Sequence, residues 1–348
     1  MKYLKQFGGK LTKERKEKYE KSPNWRDGSF QNIEETTIDI TVGKIPGLLC
    51  EQFFHRKGKE PKEPIEILAF DKEAFLAPSD KAKMIWYGHS VILMRIHGLT
   101  ILIDPMLGPN ASPIAPFPTK RFSDNTLELI EEFPEIDILL MTHDHYDHVD
   151  LDSFRLLKPK VKKYVTTLGT GRHYEAWGVS SDDIIEMDWW ESVELNGVKI
   201  HCTPSRHFAG RGATNRAKSF WGGWVIKSPD ENLYFSGDGG YGEHFKEVGR
   251  RLGPFDFGIM ECGQYNELWH NIHMYPEESI QAASDALVQK IMPVHWAGFA
   301  LAMHSWKEPV ERFVAEAKEK KVSYIVPRLG EVFSRDFSSI ENWWTPLK

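Results

Sequence analysis

Thr142 to Asp150 reads Thr-His-Asp-His-Tyr-Asp-His-Val-Asp and follows directly on the apolar run Ile136–Met141. Residues 143–148 alone carry three imidazoles and two carboxylates. An apolar strand that feeds such groups inward requires each of them to be hydrogen-bonded, ionised or bound to metal, and a solvated loop does not explain the strand. His143 and His145, two apart in an extended loop, point to one side and can share an ion. Asp147 and His148 come after the chain turns and can face a second ion nearby. Neutral imidazole nitrogen and carboxylate oxygen suit zinc, and iron or manganese less selectively. One motif gives only two donors per ion, so the rest should lie at later strand ends. His207 follows the run Lys199–Thr203, Asp238 follows Leu233–Ser236 among glycines, and His295 follows Ile291–Val294. Any one of these alone is more often structural, but together with the motif they form a set.

Apolar and alternating runs predict strands at residues 83–89, 90–96, 99–104, 136–142, 164–167, 192–194, 199–203, 222–227, 233–236, 257–261, 291–294 and 324–326. His97-Gly98 marks a tight turn between the second and third. Helices are predicted at Leu127–Glu132, Glu277–Gln289 and Glu308–Lys320, the second opened by Pro276 with acidic residues in its first turn. Strands joined partly by hairpins with helices interspersed predict two packed sheets covered by helices, an α+β arrangement, not a doubly wound parallel sheet. The charged, Pro-containing stretch 57–64 marks a surface loop, dividing an N-terminal extension (residues 1–70) that packs on the main domain from a domain over residues 71–348. Residues 1–21 hold eight Lys or Arg against three Glu, which reads as a solvated helix or a frayed arm.

The formal net charge of −6 argues against a global affinity for nucleic acid or anionic membrane, so any phosphate specificity must be local. Cys50, Cys202 and Cys262 are odd in number and widely spaced, suggesting neither disulfides nor a thiolate site and fitting a cytoplasmic location. No secretion signal and no membrane span is read, although the basic N-terminus leaves peripheral membrane contact open.

The series His-x-His-x-Asp-His, then His207, Asp238 and His295, resembles the ligand set of the metallo-β-lactamase superfamily in chain order. The resemblance covers roughly residues 83–335 and implies an αββα sandwich. It implies His143, His145 and His207 on one metal, Asp147, His148 and His295 on the other, and Asp238 bridging, with Asp104 supporting the loop from behind. Two divalent ions are implied, zinc foremost, with manganese or iron as alternatives. Shorter pieces resemble the N-acyl phosphatidylethanolamine-hydrolysing phospholipase D group: Asn24-Trp25 and Gly28 to Asn32, the strand Trp221–Trp224, the stretch 264–276 with His273, and Val294-His295-Trp296. A cousin group, the ascorbate-phosphate lactonase type, shares much of this scaffold. The relatives are often dimers, and nothing in the sequence fixes an interface.

A hydroxide on two metals is the implied nucleophile, with Asp147 able to take a proton while acting as a ligand and His273 able to protonate a leaving group or hold a phosphate oxygen. The loop 206–218 carries Arg206, Arg211, Arg216 and Lys218 and no acid, which reads either as a phosphate-binding island or as a solvated loop. Phe117, in the long loop Pro109–Asp124, and Trp221, Trp269 and Trp296 are candidates to receive an acyl chain. The expected activity is that of a metal-dependent phosphodiesterase of phospholipase D type on a small-molecule or lipid diester. A lactonase or other carboxylic-ester hydrolase is the alternative, and a non-catalytic metal-binding protein a remote one.

Overall fold

Two hairpins of the same chemistry open the two halves of the fold. Ile96 pairs with Leu99 across His97-Gly98, and Leu195 pairs with Val198 across Asn196-Gly197. All four turn residues have positive φ, the backbone that a two-residue turn matching strand twist requires.

The computed structural model describes residues 5–39, 43–44, 46–47, 50, 58–112, 118–212, 214–338 and 342–348. Helix α1 (Lys13–Tyr19) and a small hairpin, β1 (Trp25–Arg26) with β2 (Ser29–Phe30), come first, and α2 (Lys72–Leu76) follows. One seven-stranded sheet holds β3 (Lys83–Trp86), β4 (Ile92–Ile96), β5 (Leu99–Ile103), β6 (Ile136–Met141), β7 (Val161–Thr167) and β8 (Ile184–Met187). The other holds β9 (Ser192–Leu195), β10 (Val198–Thr203), β11 (Gly223–Lys227), β12 (Asn232–Phe235), β13 (Phe257–Glu261), β14 (Lys290–Val294) and β15 (Ser323–Tyr324). The last strand, β16 (Val332–Phe333), returns to the edge of the first sheet beside β3. In each sheet antiparallel pairings give way to parallel ones, at β5–β6 in the first and β12–β13 in the second. The C-terminal ends of β3, β5 and β6 therefore share one edge, as do those of β10, β12, β13 and β14.

Alternation along the strands builds the layers. In β6, Ile138 and Leu140 face the second sheet together with Met94, Ile101 and Val165, opposite Ile200, Trp224 and Phe235. Leu139 and Met141 face outward beneath α3 (Leu129–Glu132), α4 (Leu151–Leu157) and α5 (Gly171–Ala176), which contribute Ile130, Phe154, Leu157 and Tyr174. Helices α6 (His244–Leu252), α7 (Pro276–Asp285) and α8 (Glu308–Lys320) cover the other sheet with Phe245, Val248, Ile280, Ala283, Val310 and Phe313. The result is the expected pair of mixed sheets flanked by helices.

The strands β8 and β16 were not anticipated. β8 is a half-buried edge strand and β16 has only two residues, so neither carries a strong apolar pattern. The predicted helix at 127–132 shortens to α3, and that at 277–289 ends at Asp285, before Leu287 turns to positive φ. The charged N-terminal segment is docked, not frayed: Tyr19 of α1 is fully buried, and Lys18 pairs with Glu186 at 2.9 Å. Among the described residues no helix is long and apolar enough to cross a membrane.

Leu139 is fully buried between Leu102 and Tyr164 on the helix-covered face. Leu139→Ala is expected to cost about 2–5 kcal/mol of stability, read as a lower urea midpoint at unchanged slope.

Candidate metal centre

The strand edges deliver the ionisable residues to one place. His89 lies just past β3, Asp104 just past β5, His143 to His148 past β6, His207 past β10, Asp238 past β12, and His295 past β14, while Glu261 ends β13. Strain gathers here too: His89, Asp104, Gln264, His295 and Ala297 are all non-glycine residues with positive φ. Such backbones persist where surrounding contacts impose them, and they cluster at functional sites.

Two clusters of donor atoms result. His143 Nε2 lies 2.9 Å from His145 Nδ1, which lies 3.2 Å from His207 Nε2. In the second, Asp147 Oδ2 lies 3.4 Å from both His148 Nε2 and His295 Nε2 and 3.0 Å from His89 Nε2. Asp238 Oδ2 stands between the clusters, 3.0 Å from His148 Nε2 and from His295 Nε2 and 3.9 Å from His143 Nε2. All seven residues singled out as ligands thus converge, and His143, His145 and His207 share one group.

Tautomers are set from outside. His207 Nδ1 contacts the Ile272 carbonyl at 3.0 Å, so that Nδ1 carries the proton and Nε2 presents a lone pair to the centre, while His148 Nδ1 donates to Asp104 Oδ2 at 2.8 Å and its Nε2 faces Asp238 Oδ2 at 3.0 Å. The Thr142 hydroxyl donates to Asp104 at 2.6 Å and accepts from His143 Nδ1 at 3.0 Å, giving His143 the same polarity. Burial drives the His143 and His207 pKa values well below the usual range and His145 to about 4, so these imidazoles are neutral at neutral pH. Burial opposes ionisation of Asp147 and Asp238, but the neighbouring His148 and His295 outweigh it and hold both carboxyls well below their usual range. Lone pairs aimed at one another across about 3 Å, beside ionised carboxylates, form a cradle for cations. The spacing matches the ~3.3 Å between donors set tetrahedrally at ~2.0–2.1 Å around zinc.

Two contributors escaped the sequence reading. His89 was read as the end of a strand, yet its Nε2 meets Asp147 and its backbone pairs with that of Trp296. Glu261 was read as strand, yet it is fully buried, bonds His273 Nδ1, and accepts from Gly239 N–H at 2.7 Å. The available signal was an ionisable residue just past, or closing, an apolar strand, the same pattern that marks Asp104.

The ligand loop is also held from below. Asp144, between His143 and His145, is fully buried, accepts from Gly210 N–H at 2.7 Å and bonds Ser219 and His173. His173 in turn accepts from Gly9 N–H at 3.1 Å, where a Cβ on Gly9 would sit 2.1 Å from the Arg172 carbonyl. Asp150 caps α4 through Ser153 N–H at 2.7 Å.

The basic loop divides against the expectation of a phosphate-binding island. Arg211 is fully buried and donates to the carbonyls of Gln6, Asp144 and Val149, so its N–H groups serve the backbone. Arg206 donates to Thr36 Oγ1 and to the carbonyls of Glu35 and Tyr241. Trp221 is buried, with its Nε1 shared by Asn32 Oδ1 and the Ser205 carbonyl. Hydrogen bonds to these acceptors engage all three, and none of them lines the cavity. Arg216 alone of the loop's arginines faces it, stacked on Phe208 at 3.9 Å. Phe117 lies outside the described residues. His270 and His304 are engaged by Glu278 and by Gln264 N–H. The cavity itself, about 640 Å³, is lined by His145, Asp147, His207, Asp238, His273 and His295 together with Ile38, Phe208, Trp269, Ile272 and Leu301.

The beta-lactamase superfamily domain matches residues 100–296, and the chain belongs to that superfamily. The uncharacterized protein Rv0906 of Mycobacterium tuberculosis is 33% identical over 331 residues, covering 93% of this chain and 88% of that one. N-acyl-phosphatidylethanolamine-hydrolyzing phospholipase D 1 of Caenorhabditis elegans is 29% identical over 266 residues, covering 71% and 74%. Among solved structures, Igni18, a metallo hydrolase from Ignicoccus hospitalis, aligns at a TM-score of 0.57 and 19% identity over 74% of this chain and 100% of that one, a likeness of fold.

Asp104 orients His148 directly and His143 through Thr142. Asp104→Asn is expected to weaken metal binding roughly 10–100-fold in competition with a chromophoric chelator.

Proposed function

We propose that this metal-dependent hydrolase of the metallo-β-lactamase superfamily cleaves phosphodiesters, with a lipid diester as the substrate class. The observation that carries the reading is the cavity. Its lining combines donor residues of both clusters, the cationic Arg216 and a set of apolar side chains. Among the described residues the Arg216 guanidinium has no hydrogen-bond partner, and its fork matches the oxygens of a phosphate. Ile38, Phe208, Trp269, Ile272 and Leu301 offer a surface to a hydrocarbon chain. The likeness to a phospholipase D of Caenorhabditis elegans supports the same class.

His143, His145 and His207 would hold one ion, and Asp147, His148 and His295 the other, with Asp238 between them. Such a pair of divalent ions lowers the pKa of bound water towards ~7 and neutralises charge developing on the phosphoryl oxygens. The chain supplies the rest. Asp147 lines the cavity and would offer a carboxylate there as a proton acceptor. His273 lines the same cavity with its ring centroid 5.0 Å from that of His207. Glu261 pairs with His273 Nδ1 and would balance the charge of an imidazolium there, whose Nε2 proton could pass to the departing alkoxide and leave the neutral ring. Arg216 steadies the diester anion while the apolar lining orients its substituent.

Metal content and hydrolysis of a chromogenic phosphodiester test this together. Wild type is expected to hold about two equivalents, Asp238→Asn fewer, and chelation to abolish turnover. His273→Ala is expected to lower kcat about 10²–10⁴-fold with metal content unchanged. Arg216→Ala is expected to raise KM for a phosphodiester while leaving hydrolysis of a neutral lactone unaffected. Lactone hydrolysis with no action on phosphodiesters would replace this reading with the lactonase alternative.

A further inference from the structure

The segment ahead of the main sheets meets the backbone of a donor residue at Asn32. Asn32 Nδ2 donates to the His207 carbonyl at 2.8 Å, and His207 N–H donates to Asn32 Oδ1 at 3.1 Å. Trp221 Nε1 donates to the same Oδ1 at 2.9 Å and ties it to the start of β11. A single side-chain amide therefore satisfies both backbone groups of a donor residue, doing for His207 what a neighbouring strand does within a sheet. β10 ends at Thr203, so His207 has no ladder partner of its own.

His207 is also the odd member of its group. His143 and His145 come from one loop, braced by Thr142 and Asp144, whereas His207 arrives alone from another. The second group is held from within the domain: Asp104 fixes His148, and His295 N–H donates to the His89 carbonyl at 3.0 Å.

We propose that Asn32 is a positioning residue for the first ion only, so that its loss empties the site of His143, His145 and His207 while the site of Asp147, His148 and His295 keeps its metal. This rests on the dinuclear reading above. Removing the amide leaves the His207 N–H and carbonyl without their partner, so that the Ile272 carbonyl at Nδ1 is left to hold the ring and the imidazole can shift from the other two. Two lone pairs then remain where three converged, and a site held by two imidazoles binds a divalent ion far less well.

The test measures metal stoichiometry after dialysis, and the affinity of each ion by chelator competition, in wild type, Asn32→Ala, Asn32→Asp and Asn24→Ala. Asn24 lies on the same segment but bonds Asp188 at 2.9 Å, so its variant loosens the segment without touching a donor residue. Asn32→Ala is expected to retain one equivalent, one ion weakened roughly tenfold or more and the other unchanged. Asn32→Asp keeps the acceptor but sets an anionic oxygen against the His207 carbonyl, and is expected to shift the same ion; it carries the test if the alanine variant does not fold. Asn24→Ala is expected to hold two equivalents. The proposal is overturned if Asn32→Ala binds both ions as wild type does, if it loses both alike, or if Asn24→Ala loses as much. A wild type that binds no metal brings down the dinuclear reading itself, a failure visible before any variant is made.

Discussion

Everything in this structure is arranged around imidazole lone pairs that meet inside the protein. Two nitrogens facing each other at about 3 Å in a dry interior repel unless a proton or a cation stands between them. Here the outward nitrogens of His143, His148 and His207 already have partners for their protons, in Thr142, Asp104 and the Ile272 carbonyl. The inward nitrogens of His143 and His207 are left without protons to share, while those of His148 and His295 face the Asp238 carboxylate at 3.0 Å. The folded chain thus sets aside a buried group of nitrogen and carboxylate donors suited to a cation. The layered sheets, the positive-φ turns and the buried Asp104, Asp144 and Glu261 all keep that region from collapsing.

The central donor set was legible in the sequence because it obeys a simple rule, with each donor following an apolar strand. The sheets were legible for the same reason, since alternation in β4, β5 and β6 encodes two buried faces. Where pattern and burial parted, the reading lost contact. β8 is a four-residue edge strand, half-buried and without alternation between its two isoleucines, so its pattern does not announce it. Arg206 and Arg211 looked like a basic island because charge is visible in a sequence and burial is not. In the fold their guanidiniums pin loops by capping carbonyls, a use of arginine in which geometry matters more than charge. His89 and Glu261 were hidden in plain sight, each read as an ordinary strand residue. Asn32 lies far along the chain from His207, and only the tertiary fold brings the two together.

The N-terminal segment changes how the domain should be divided. Composition separates residues 1–70 from the rest, but hydrogen bonds tie the two parts closely. Gly9 supports Asp144 through His173, Gln6 receives Arg211, and Thr36 and Glu35 receive Arg206. Ile38 lines the cavity itself. The segment acts as an outer frame for loops that must stay open towards a substrate and so cannot be packed from that side.

The donors are shared between the two sheets, and this has a consequence for how the protein is made. The first half contributes His143, His145, Asp147 and His148, and the second contributes His207, Asp238 and His295. A ribosome has therefore built most of the polypeptide before the last donor exists. Partial chains display a His-rich loop with no complete shell, so metal capture belongs to the end of synthesis, after the sheets have met. Only a chain whose two halves have docked brings all seven of these side chains together.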